Sequence, residues 1–72
     1  MLEKKKLIFV VFILHALGQH WNMTTPEVYE ILNTTGILDD YIIKYYDVLH
    51  TLGKEYLVED ITELVREKGI DV

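Results

Sequence analysis

The stretch YIIKYYDVLHTL, residues 41–52, decides how this chain folds. Wound at 3.6 residues per turn, it places Tyr41, Ile42, Tyr45, Val48, Leu49 and Leu52 on one broad stripe. Lys44, Asp47 and Thr51 fall on the opposite side. Ile43, Tyr46 and His50 stack along a flank at i, i+3 and i+7. The spacing predicts a central helix with a core face, a solvent face and a third face of mixed chemistry. That third face, joined at its edge by Asp47 and Thr51, is the candidate partner-contact surface.

Working outward, the signals on either side set off a helix of their own. Asp39 is a natural N-cap for the central helix, Asp40 adds charge favourable to its dipole, and Gly53 closes it. Upstream, Thr24-Thr25-Pro26-Glu27 fits a capping box, with Thr24 as N-cap and Glu27 reaching back. Met23 and Val28 are spaced for a hydrophobic staple; Val28, Ile31, Leu32 and Thr35 make the inward face, and Gly36 ends the helix. Downstream, Lys54 to Leu57 reads as a short connection. A last helix follows from about Val58 to Lys68, with Ile61, Leu64 and Val65 inward. Glu59 and Asp60 sit in its first turn, Arg66 and Lys68 in its last, and Gly69 ends it.

Residues 1–20, MLEKKKLIFVVFILHALGQH, admit three readings. A lysine triplet before an apolar run resembles a signal peptide. The run from Leu7 to Leu17 is short for a membrane span, which takes about 20 apolar residues. The reading favoured here is a helix apolar on nearly every side because it lies in the middle of the fold, ending near Gly18 or running on to His20. Removing it would leave roughly 50 residues, too few for a good core without a staple. Trp21 is placed to cap the core from the connection. The expectation is an all-α fold, a compact bundle of four short helices forming a single domain over residues 1–72.

Charge narrows the function classes. The formal charge is −5, and all of the excess lies in residues 37–72, where nine acids face four bases. Such a surface repels phosphate backbones and anionic lipid and favours a basic protein partner. With no cysteine there is no disulfide, thiolate zinc site or cysteine nucleophile, as befits a reducing cytoplasm. His15 and His20 are five apart and diverge on a helix, so no metal or cofactor site is expected. Asp47 has His50 at i+3 and Thr51 at i+4, the orienting half of a hydrolytic triad. No activated nucleophile, glycine-rich phosphate loop or HExxH accompanies them, so no catalytic residue is assigned and the chain is read as a non-enzyme. The glycosylation triplets at Asn22 and Asn33 match a pattern common by chance.

The alternative is a helix-turn-helix DNA-binding regulator, with Gly36 in the turn. Its recognition helix would open on Asp39-Asp40 and carry only Lys44 before Asp47, a poor set for phosphates.

The segment Tyr46-Asp47-Val48-Leu49-His50-Thr51, then Gly53 and Tyr56-Leu57-Val58-Glu59-Asp60-Ile61, resembles a family of small bacterial proteins catalogued as domain of unknown function 3791. That family joins an apolar first helix, a Thr/Ser-x-x-Glu-Val helix start, a YD-x-LHT core and an IV-x-DI segment. All four have counterparts here over nearly the whole chain, with Leu57 standing where isoleucine is more usual. The resemblance implies a small cytoplasmic bacterial protein without an established activity. It also implies an antitoxin or accessory partner, since relatives lie beside genes for ADP-ribosyltransferase-like, toxin-type proteins. The expected partners are a second copy of the chain or a toxin-type protein, with no membrane, and nucleic acid is left to the helix-turn-helix alternative. Either the spare face of the apolar first helix or the Ile43, Tyr46 and His50 flank, with Asp47 and Thr51 at its edge, is expected to be covered by a second copy or another protein.

Overall fold

A computed structural model describes residues 3–72, so the first two residues of the predicted opening helix lie outside it. The elements in order are α1 (Lys4–Trp21), α2 (Thr25–Thr34), a π-helical segment (Leu38–Ile43), α3 (Tyr46–Leu49) and α4 (Lys54–Glu67). No strand occurs among the described residues, so the fold is all-α. The radius of gyration, 11.1 Å, matches the value of about 11 Å expected for a compact chain of this length.

Helix α1 lies between α2 and α4 and also touches the π-helical segment. Its inner side, Val10, Ile13, Leu14 and Leu17, meets Val28 and Leu32 of α2 and Leu57, Ile61 and Val65 of α4 in one core. Each fully buried aliphatic side chain contributes about 1.5–3 kcal/mol, so the apolar middle of α1 is what the fold is built on. The helix runs past Gly18 to Trp21 and stops at Asn22, whose left-handed backbone (φ 57°, ψ 48°) turns the chain. Gly18 serves close approach: a Cβ there would stand 2.8 Å from the Met23 carbonyl oxygen. Trp21 Nε1 donates to Thr62 Oγ1 at 2.9 Å, and that hydroxyl donates to the Val58 carbonyl at 2.6 Å. This polar relay ties the end of α1 to α4 and satisfies a buried hydroxyl.

The start of α2 is as expected. Thr24 Oγ1 accepts from the Glu27 amide, and Glu27 Oε1 accepts from the Thr24 amide at 3.0 Å. At the far end of the chain a Schellman closure ends α4. Gly69 N–H reaches Arg66 O, Ile70 N–H reaches Val65 O, and Gly69 supplies the positive φ of 88°.

Two expectations are corrected. The central helix is not continuous. It winds as a π-helix to Ile43, turns at Lys44 and Tyr45 (Tyr45 φ −104°, ψ 25°), and resumes for a single turn as α3. The wider π turn and the break shift the helical phase, so a constant 3.6-residue wheel fails beyond Ile42. Tyr45, Val48 and Leu52, assigned to the core stripe, are 45%, 61% and 37% exposed. Only Ile42 and Leu49 of that stripe are buried, while Tyr41 is half-buried with its hydroxyl on the Asp60 carboxylate of α4. The second correction is at α4, which begins at Lys54 instead of Val58. Gly53 is its N-cap and offers no side chain to signal the start. The bundle thus has three helices of ten residues or more and two short pieces, instead of four comparable helices.

Candidate functional site

The side of α1 turned away from the core is not polar. Leu7, Ile8, Val11 and Phe12, at i, i+1, i+4 and i+5, form one patch and are 51%, 59%, 44% and 43% exposed. The core is already closed by the opposite side of the helix, so nothing among the described residues covers them. Helix α1 opens on Lys4, Lys5 and Lys6 with no acid in its first turn, and its N-cap Glu3 makes no capping hydrogen bond. Three cations therefore stand on the positive end of the helix dipole, balanced among the described residues by a Lys6–Glu3 contact at 3.9 Å.

Beside this patch the turn before α3 brings Tyr46 across to α1. Its ring meets Phe9 edge-on, with centroids 5.4 Å apart and planes at 78°. On its other side it stacks on His50, with centroids 4.6 Å apart and planes at 10°. The His50 ring is fixed by Nδ1–H donating to the Tyr46 carbonyl at 2.8 Å, which leaves Nε2 as the acceptor. Phe9, Tyr46 and His50 thus form an aromatic ladder from α1 to the end of α3. With Ile8, Phe12 and Leu52 it lines an open groove of about 420 Å³, with Lys5 and Lys54 also on its walls. A second open depression lies toward the other end of α1, where Gln19 and His20 meet Glu55 and Glu59 of α4.

The five residues predicted for partner contact fare differently. Tyr46 and His50 come together as expected. Ile43 packs half-buried against the core and does not line the groove. Thr51 is exposed, with its hydroxyl on the Val48 carbonyl at 2.7 Å. Asp47 is exposed, and among the described residues its carboxylate makes no hydrogen bond or ion pair. The predicted Asp47–His50 contact does not form, because the His50 nitrogen nearest the backbone is held by Tyr46. Among the described residues no three His, Cys, Asp or Glu side chains gather as a metal cluster. Sequence reasoning missed Ile8, Phe9 and Phe12 as neighbours of the flank; a helix apolar all round gives no sign of which side faces out.

Two ionisable groups are displaced. Burial and then the Asp60 hydrogen bond raise the Tyr41 phenol well above its ordinary value. The backbone hydrogen bond from Thr24, then its side chain, lowers the Glu27 carboxyl. Neither lies in the groove, so neither marks a reactive centre there.

The family model described as a protein of unknown function, DUF3791, matches residues 8–68. The chain belongs to that family. The matched span takes in both the apolar face of α1 and the Tyr46–His50 ladder of this DUF3791 protein. No curated protein and no solved structure matches it. No single helix among the described residues is long and apolar enough to cross a membrane. Helices α1 and α2 pass that test only together, and they are bent by 106° at their junction.

Proposed function

We propose that this DUF3791 protein is a cytoplasmic docking module that works by contact and carries out no catalytic step. The observation that supports this most is the groove. Large apolar side chains of α1 stand exposed beside an aromatic ladder, on a chain whose core is complete without them. Tyrosine and histidine held rigid by stacking present contact area at little conformational cost, which is how binding hot spots are built.

The heterologous partner in this reading is an ADP-ribosyltransferase-like, toxin-type protein whose basic cleft the module masks. The support is the acidic balance of residues 37–72, which suits a cationic surface. The same balance weighs against the helix-turn-helix alternative, as does the interruption of its recognition helix at Lys44 and Tyr45. The test is co-expression with the product of an adjoining gene of that kind. A complex should co-purify, and Tyr46→Ala with His50→Ala should weaken it at least about tenfold. Failure to bind, or to relieve that protein's toxicity, overturns the antitoxin reading. Retention on heparin with a steep salt dependence would favour nucleic acid instead.

A further inference from the structure

The patch on α1 is bracketed by opposite charges. Lys4 and Lys5 stand at its N-terminal end, on the positive pole of the helix dipole. Beyond it, toward the C-terminal end of α1 beside Gln19 and His20, lie Glu55 and Glu59 of α4, with Lys54 the one lysine among them. A face that is apolar in the middle, basic at one end and acidic at the other is complementary to itself when turned end for end. Two such faces related by a two-fold axis set each basic end against an acidic end. Laid parallel, they oppose like charges.

We propose that a second copy of this chain covers the patch, α1 against α1 in antiparallel register, with the two-fold axis near Val11 and Phe12. The proposal rests on the docking reading above and names the occupant of one part of that surface. In this arrangement Leu7, Ile8, Val11 and Phe12 of each copy are shielded together, and Lys4 and Lys5 reach the acidic rim of the other. The contact is isologous, so it closes at two copies and does not propagate. Helix α1, about 27 Å long, runs most of the length of a molecule whose greatest extent is 30 Å. Pairing along it brings the α4 rims into the interface as well, which extends it toward the area a stable dimer needs.

The chain has no cysteine, so single cysteines report the geometry without interference. Val11→Cys sits near the axis, where packed helices bring backbones within disulfide reach, and should cross-link with itself under mild oxidation. Lys4→Cys lies far from the axis, roughly 20 Å or more from its own symmetry mate, and should not. Sedimentation of the full chain from about 1 to about 200 μM should show a monomer–dimer equilibrium. Phe12→Glu should raise the dissociation constant about a hundredfold or more, with Ile8→Glu as a second variant should the first fail to fold. Lys4→Glu with Lys5→Glu, and separately Glu55→Lys with Glu59→Lys, should each weaken self-association, and mixing the two should restore a dimer about tenfold in preference to either alone.

A monomer throughout the concentration range overturns the proposal, as does self-cross-linking of Lys4→Cys as readily as Val11→Cys. Failure of the charge-swapped pair to recover also overturns the antiparallel arrangement. A monomer that still binds the toxin-type protein through Tyr46 and His50 would remove the self-pairing alone and leave the docking reading standing. A dimer that never binds such a protein would do the reverse.

Discussion

Replacing Gly18 by alanine sets two known effects against each other, and the structure says which wins. In a helix interior alanine is favoured over glycine by about 0.8–1.0 kcal/mol, so on propensity alone Gly18→Ala stabilises α1. The new methyl would stand 2.8 Å from the Met23 carbonyl oxygen, a backbone atom that no rotamer change can move. That carbonyl sits in a connection pinned by the Met23 N–H to Gly18 O bond, the left-handed Asn22 and the Thr24–Glu27 capping box. Relief therefore requires α2 to shift against α1, an overpacking effect that costs about 1–3 kcal/mol. The net expectation is a loss of up to about 2 kcal/mol, or a fall in Tm of up to roughly 10–15 °C for a domain of this size. Gly53→Ala is the control: nothing lies within 4 Å of its added methyl, so it loses only the N-cap preference of glycine over alanine, about 0.5–1 kcal/mol. Thermal unfolding followed by circular dichroism at one fixed protein concentration makes the comparison. A Gly18→Ala protein as stable as the parent, or more so, would refute the close approach of α1 and the Met23 turn.

Two further predictions concern pH. Because Glu27 is held below its ordinary pKa in the folded chain, its stabilisation is present above the unfolded value and is lost as pH falls through the folded one. Thr24→Ala should return the Glu27 carboxyl toward its ordinary value in an NMR titration and shift acid unfolding upward in pH; an unmoved Glu27 would contradict the capping box. Tyr41 has the opposite sign. Its raised pKa stabilises the fold fully below the unfolded value of about 10 and progressively less as pH rises above it. Among the five tyrosines, one should stay unionised in tyrosinate absorbance until the chain unfolds, and Tyr41→Phe should abolish that resistant signal.

The parts of the fold legible in the sequence were those governed by local chemistry. Thr24-Thr25-Pro26-Glu27 announces the start of α2 because its hydrogen bonds run between residues three apart. The apolar run in α1, broken only by His15, signals its place in the core, although only the side carrying Val10, Ile13, Leu14 and Leu17 is buried there. What could not be read depended on partners distant in the chain. Tyr41 is anchored by Asp60 and Trp21 by Thr62, and no spacing rule connects either pair. The break at Tyr45 carries no proline or glycine to announce it, and with the changed phase Val48 and Leu52 lie outside the core. The site followed the same division. Tyr46 and His50 share a face by short-range geometry, whereas Phe9 joins them only once α1 and α3 are side by side.

The middle position of α1 also has a consequence for how the chain is made. One wall of its covering is α4, which is synthesised after it. At about 5–20 residues per second, roughly two to nine seconds separate synthesis of Trp21 from that of Glu67. Once clear of the ribosome, and until α4 folds back, α1 is a lysine-led greasy segment without that wall, the same profile that export and chaperone machinery recognises on emerging polypeptides. Biogenesis, more than the finished globule, is where this helix is vulnerable.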